Sequence, residues 1–249
     1  MAKPKLALIP ATQGSKLYSV LPADGVGDFT FSRNSAATRI NKDGLIETVA
    51  VGKSRLNYPL IDGVVNGCPS HLLEPERLQK IQYSEDFSNA AWIKGGLTVN
   101  ANQAISPDGT LNADLIQVTV NSGNIYDNVS GSGDGSFSVF AKYIDIKYIR
   151  LRSTGSYAYF DIENGTVGNT LNVLDTKIEN YGNGWYRCTV IGNNTNSLVQ
   201  VFASNTDVGQ PTGLGSVYIF GAQIEQGSYP TSYIPNYGTS AGITRVAET

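Results

Sequence analysis

The chain is 249 residues long and carries 16% charged residues, 27 glycines and 14 tyrosines. Ordinary soluble domains hold roughly 25% charged residues. So few charges, among so many turn formers, aromatic and β-branched residues, exclude a helical bundle in favour of short strands joined by polar loops. One histidine and two cysteines are too few for a His/Cys metal cluster within one chain.

The net charge of −3 is unevenly spread, with +3 on residues 1–80 and −6 on residues 81–249. There is no concentrated basic stripe of the kind a nucleic-acid binder needs. The imbalance suits a front segment that docks on an acidic protein surface. The apolar run Leu6 to Ile9 stops at Pro10, too short for a secretory signal, and no stretch approaches the ~18 apolar residues of a spanning helix. No membrane insertion is expected, and Cys68 and Cys188 are expected to be free thiols in a protein made in the cytoplasm.

Residues 1–80 read as short extended pieces between turns. Asp24-Gly25, Asp43-Gly44, Asp62-Gly63 and Asn66-Gly67 are turn dipeptides. Candidate strands lie between them at Phe29 to Arg33, Glu47 to Val51, Tyr58 to Ile61 and His71 to Glu74. In the first, Phe29, Phe31 and Arg33 share one face. These pieces carry too little apolar mass to bury a core of their own. They need another surface: the rest of the chain, a second copy or a host assembly.

Near residue 80 the texture changes, and a domain 81–249 is expected to begin there. Tyr83 to Trp92, with a capping Ser84 ahead of Glu85 and Asp86, reads as one helical turn. Strands then follow at regular spacing. They are Leu111 to Val120, Ser136 to Tyr143, Lys147 to Arg152, Tyr157 to Ile162, a return from Val167, Trp185 to Val190, Leu198 to Ala203 and Ser216 to Glu225. Some eight or nine strands over about 150 residues predict an all-β chain, a C-terminal jelly-roll β-sandwich behind an extended strand-and-turn N-terminal segment. Cys188, on the face of Tyr186 and Val190, reads as a small buried hydrophobe. The tail Tyr229 to Gly238, rich in Tyr and Pro, reads as extended and packed by its rings without a ladder.

Most catalytic signatures are missing. A nucleophilic triad would have to use His71, which sits in a candidate strand and reads as structural. Gly131 to Ser136 lacks the Lys-Ser/Thr of a phosphate loop and opens a strand, so it reads as a hairpin loop. Spacing leaves paired carboxylates for glycoside hydrolysis open, but Asp161 and Glu163 flank a turn and read as a solvated rim. A loop Ca²⁺ site from Asp127, Asn128 and Asp134 has no EF-hand spacing behind it. The best candidate ligand face is the outward set Tyr148, Arg150 and Arg152 with Tyr157 and Tyr159 on the neighbouring strand. Rings stack on the C–H faces of sugars, and arginine offers paired donors. An ordinary sheet surface or a subunit interface would carry the same residues.

Several blocks together resemble a known family. They are Phe29 to Arg33 with Ser35 to Arg39, Asp43 to Glu47, Leu56 to Gly63, Tyr83 to Trp92, Asn183 to Arg187 and Gly221 to Pro235. Over nearly the whole chain they are similar to the fibre-type virion proteins of tailed phages infecting Bacteroidetes, including crAss-like phages. The second half resembles a carbohydrate-binding-module-like jelly roll of phage fibres. The resemblance implies a non-enzymatic homotrimeric fibre without a cofactor, fixed to the virion by residues 1–80, with a lectin-like outer domain that meets host-cell or mucus glycans. The missing shaft repeats and chaperone domain point to a head fibre on the outer surface of the capsid. The alternative is a receptor-binding tail fibre or tailspike recognising a host polysaccharide. The expected docking contacts on the capsid or another virion protein are Lys3, Lys5, Leu6, Leu8, Ile9 and Lys16.

Overall fold

The computed structural model describes residues 31–129, 133–192 and 198–249, and the backbone of residues 11–13, 16–18 and 29–30. The described residues form an all-β molecule without a helix, so no helix long and apolar enough to cross a membrane is found among them. The strands of the sandwich are β1 (Ile93–Gly95), β2 (Leu97–Ile105), β3 (Leu111–Val118), β4 (Asn124–Asp127), β5 (Gly135–Tyr143) and β6 (Tyr148–Ser153). They continue as β7 (Ser156–Asp161), β8 (Thr166–Leu171), β9 (Val173–Gly182), β10 (Trp185–Gly192), β11 (Val199–Ser204) and β12 (Gly215–Gln226). They build two six-stranded sheets. Sheet one has the order β1-β4-β11-β6-β7-β8 and sheet two the order β2-β3-β12-β5-β10-β9. Every pairing is antiparallel.

Alternation decides what lies between the sheets. Ile149 and Leu151 of β6 and Ala158 and Phe160 of β7 point inward from sheet one, against Phe137, Val139 and Ala141 of β5 and Cys188 and Val190 of β10. The Cys188 thiol is fully buried and free, and burial pushes its pKa up. On β12 the inward positions jump from Ile219 to Ala222, because Gly221 adopts a φ of +61° and the β5 ladder shifts register there. This is a glycine bulge, and a Cβ at Gly221 would press on the Phe140 ring.

The outer face of sheet two is covered as well. Phe140, Trp185 and Phe220 point out of the sandwich and pack with Ile46 and Tyr233. β5 is therefore buried on both faces up to Ala141, while Tyr143 lies exposed at the strand end. The cover consists of residues 31–80 and the tail. Residues 31–80 form small ladders, Ala37–Ile40 with Ile46–Val49, Leu56–Asn57 with Ser70–His71, and Leu60–Ile61 with Val64–Val65. The Asp62-Gly63 turn has φ +50° and +77°, as a two-residue hairpin demands. Arg77–Gln79 pairs with Ile243–Arg245 near the end of the chain. Of the surfaces open to residues 31–80, the one they use is the chain's own sandwich.

Charge fixes this layer. The Arg33 Nη1 lies 3.2 Å from Glu248 Oε1, and Arg55 Nε donates to the same oxygen at 2.7 Å. Arg55 Nη2 and Arg245 Nη1 meet Glu74 Oε2 at 3.0 and 2.9 Å. The side chains of Arg33, Arg55, Arg245 and Glu248 have no solvent exposure. Burial alone would raise the Glu74 pKa, but Arg245, the Ser232 hydroxyl and Arg55 outweigh it and hold the carboxyl below its ordinary value.

Tyr83 to Trp92, expected as a helical turn, is a run of turns. Asp86 Oδ1 accepts from Asn89 N at 3.1 Å, and Asn89 Oδ1 accepts from Ala91 N at 3.0 Å. Side chains that bond their own backbone in this way compete with the helix. The tail is extended and joins the sandwich by one bridge, Tyr83 with Tyr237. Lys16 lies in Lys16–Tyr18, which pairs with Ala11–Gln13 and Phe29–Thr30.

Candidate functional site

The outer face of sheet one is partly exposed at Tyr148, Gln200, Arg152 and Tyr157, whereas Phe202, Arg150, Tyr159, Ser204 and Asp161 on the same face are buried. Here β6 runs between β11 and β7, so outward side chains line up across the sheet in rows. One row is Asn124, Phe202, Arg150 and Tyr159. The next is Ile93, Tyr126, Gln200, Arg152, Tyr157 and Leu171, each at least partly exposed. Tyr148 belongs to a third row with Ser204 and Asp161.

Arg150 is the hub. Its guanidinium lies 4.0 Å from the Phe202 ring centroid, 5.1 Å from that of Tyr157 and 5.6 Å from that of Tyr159. Nη1 donates to the Tyr159 hydroxyl at 3.4 Å, and that hydroxyl donates to the carbonyl of Gly209 at 2.9 Å. Arg150 is 5% exposed, and its Nε has no hydrogen-bond partner. Burial lowers its pKa and raises that of Tyr159. Sequence alternation expected Arg150 and Tyr159 to meet a ligand. They do point outward, but they lie beneath the surface, because the rings close over the guanidinium and the Gly209 loop closes over Tyr159. They form the floor of the face.

The second row is its reachable surface. Arg152 Nη1 donates to Gln200 Oε1 at 3.1 Å and its Nε to the Thr154 carbonyl at 2.9 Å. Gln200 Nε2 donates to Asn124 Oδ1 at 3.3 Å. Tyr157 stands edge-on to Tyr159, with centroids 5.8 Å apart. Tyr126 and Tyr157 are separated by three strand spacings, about 14 Å. Four of the five expected residues thus come together. Tyr148 stands apart, with Lys147 Nζ 5.5 Å from its ring. Sequence reasoning missed Tyr126, Gln200 and Phe202. The signal was the outward position of Gln200 and Phe202 on a recognised strand, which needed the β11–β6 register to become useful.

The other candidates resolve simply. Asp161 and Glu163 share Lys147, at 3.2 and 3.7 Å, and Asp161 also accepts from the backbone of the turn at Glu163 and Asn164. His71 is half-buried edge-on to Phe31, with centroids 5.5 Å apart, and burial lowers its pKa. Asp127 and Asp134 join no group of three His, Cys, Asp or Glu side chains gathered for a metal among the described residues. Lys3, Lys5, Leu6, Leu8 and Ile9 lie outside the described residues, and the Lys16 side chain does too.

A concavity of about 490 Å³ lies where the tail meets the start of the sandwich and is lined by Tyr83, Glu85, Asp86, Asn112, Asp114 and Tyr237 among others. Glu85 Oε1 accepts from the hydroxyls of Tyr233 and Tyr237 at 3.1 and 3.2 Å, and Oε2 accepts from Asn112 Nδ2 at 3.1 Å. Burial raises the Glu85 carboxyl to about 7 and that of Asp114 to about 6.

No family model matches the chain, and neither does any curated protein. Several solved structures are similar to it in part. One holds the CBM22-1 and GH10 modules of a Clostridium thermocellum endo-1,4-β-D-xylanase complexed with xylohexaose, at 13% identity and TM-score 0.37, over 66% of this chain and 30% of that one. Another is the enzymatically active domain of tailspike protein 4 of bacteriophage CBA120, at 13% identity and TM-score 0.36, over 59% of this chain and 21% of that one. A family 30 carbohydrate-binding module of a C. thermocellum cellulosomal cellulase matches at 11% identity and TM-score 0.33, over 59% of this chain and 96% of that one. The chain therefore spans less than a third of the first two proteins. At these scores the likenesses carry nothing about what this chain does.

Proposed function

We propose that this protein is a non-enzymatic glycan-binding fibre of a tailed-phage virion. In this reading three copies form a head fibre on the capsid, and each sandwich turns the outer face of sheet one toward cell-surface or mucus polysaccharide. The observation that carries the glycan reading is the row Tyr126, Gln200, Arg152 and Tyr157, reachable on one sheet while the other sheet is covered. Two tyrosine rings about 14 Å apart offer stacking surfaces for an oligosaccharide, and the amide and guanidinium between them offer donors to its hydroxyls. The floor beneath is held by packing, so the row is preorganised. The virion assignment rests on the chain-long sequence resemblance. With residues 31–80 fixed on sheet two, docking falls to the residues ahead of them, Lys3, Lys5, Leu6, Leu8, Ile9 and Lys16. Three weak sites on one fibre, and many fibres on one particle, add avidity through effective concentration.

Tyr157→Ala and Tyr126→Ala are each expected to weaken binding of the pure protein on a glycan array by about tenfold, the stacking contribution of one ring. The melting temperature should stay nearly unchanged in Tyr126→Ala and fall modestly in Tyr157→Ala, whose ring lies over the Arg150 guanidinium, and no reducing ends should be released from the bound glycan. Unaltered binding by both variants would refute the assignment of the face, and hydrolysis would refute the non-enzymatic role. A particle reconstruction that places the chain off the capsid would refute the head-fibre position.

A further inference from the structure

We propose that the glycan bound on the outer face of sheet one is acidic, a chain bearing carboxylates such as uronic-acid units, and that neutral chains are poor ligands. This rests on the glycan-binding reading above.

The buried arginines of the layer over sheet two differ from Arg150. In that layer Arg33, Arg55 and Arg245 are buried, and each has a glutamate within 3.2 Å. Arg187 of β10, also buried, has no ion pair among the described residues and donates instead to the Ser138 hydroxyl and the Thr231 carbonyl. On the sheet-one side, Arg150 is 5% exposed and its Nε is unpartnered. Among the described residues no carboxylate forms an ion pair with Arg150 or Arg152. The rings of Phe202, Tyr157 and Tyr159 attract the Arg150 cation through their faces, but they bring no negative charge. Desolvating an ion costs several kcal/mol when no counter-charge offsets it.

Arg152 stands one row away, half-exposed between Gln200 and Tyr157. The middle of the face thus presents two guanidinium charges, one fixed in the floor and one at the surface. Negative groups sit at the margins. Asp161 and Glu163 are held by Lys147, and Asp207 lies against Gly168 of β8. A poorly hydrated cation behind a ring-lined surface focuses positive potential on the site. A sugar carboxylate over the Arg152 row would supply the counter-charge that the chain withholds. Arg152 would bind it by charge-assisted hydrogen bonds, while the pyranose rings stack on Tyr157 and Tyr126.

The test is titration of the full chain with an oligogalacturonate and with a xylo-oligosaccharide of the same length. The acidic oligomer is expected to bind at least about tenfold more tightly, as one charge-assisted pair allows. Raising the salt from about 0.05 M to about 0.5 M should shrink the preference, because the Arg152 pair is partly exposed. Arg152→Gln should abolish the preference without lowering the melting temperature, and Arg152→Lys should restore part of it. Equal or tighter binding of the neutral oligomer, lost in Tyr157→Ala, would overturn the acidic preference and leave the glycan reading intact. Acidic binding that ignores both Arg152→Gln and Tyr157→Ala would place the contact elsewhere and overturn the inference. Binding of neither oligomer would count against both.

Discussion

Replacing Glu248 by alanine is expected to cost about 3–5 kcal/mol, the range seen when one partner of a buried ion pair is removed. Glu248 Oε1 serves both Arg33 and Arg55, and its Oε2 accepts from the backbone N–H of Glu74 at 2.8 Å. Without it Arg33 keeps only carbonyl partners, those of Ser35, Val49 and Ala50, and no counter-charge. Arg55 keeps Glu74. For a chain of this size, that loss lowers the melting temperature by about 10 °C. The damage should begin in residues 31–80, which have few apolar contacts of their own and take their position from sheet two and the tail. Hydrogen exchange in Ala37–Ile40 and Ile46–Val49 should rise before exchange in β5 or β10. A melting temperature within 2 °C of the parent would mean that apolar packing alone holds the layer.

The second large effect is an acidic optimum of stability. The Glu85 and Asp114 carboxyls are raised by burial to about 7 and about 6. A raised carboxyl gives stability that is complete below its unfolded value and lost as the pH climbs through its folded value. Stability therefore falls between about pH 4 and pH 7 and then levels, by up to about 3 kcal/mol for Glu85 alone. Glu74 acts in the opposite sense. Its lowered carboxyl gives stability that is present above the unfolded value and lost as the pH falls through the folded one. Together they place the maximum near pH 4. Glu85→Gln keeps a carbonyl oxygen for the Tyr233 and Tyr237 hydroxyls and removes the charge. It should raise the melting temperature at pH 8 and leave it almost unchanged at pH 4.5. A pH profile that is flat, or that Glu85→Gln fails to alter, would contradict the assignment.

The interior of the sandwich was legible in the sequence because its strands alternate cleanly. Ile149 and Leu151, and Tyr186, Cys188 and Val190, announce their inner faces by alternation. Shorter or more polar strands were not legible. Asn124–Asp127 has one inward apolar residue, Ile125, and Ile93–Gly95 has none in the core, so neither carries a period. β9 is largely exposed or half-buried along its length and gives no apolar signal either. The need of residues 31–80 for a partner surface was legible from their small apolar mass. That the partner is sheet two was not, because Arg55 meets Glu248 across 193 residues of chain. At the candidate site, alternation gave the side on which Arg150 and Tyr159 lie but not their depth. Depth depends on Phe202 from β11 and on the loop at Gly209, and the cross-strand register that joins them comes from strands far apart in the chain.

Ligand is expected to meet the row across β4, β11, β6 and β7. The most direct measurement is amide and side-chain chemical-shift mapping of the full chain during titration with oligogalacturonate. Saturable shifts are expected at Tyr126, Gln200, Arg152 and Tyr157, with smaller ones at Phe202 and Arg150 beneath them and none at Tyr83 or Tyr237. Shifts centred on the Glu85 cavity or on residues 31–80, with the row silent, would contradict it.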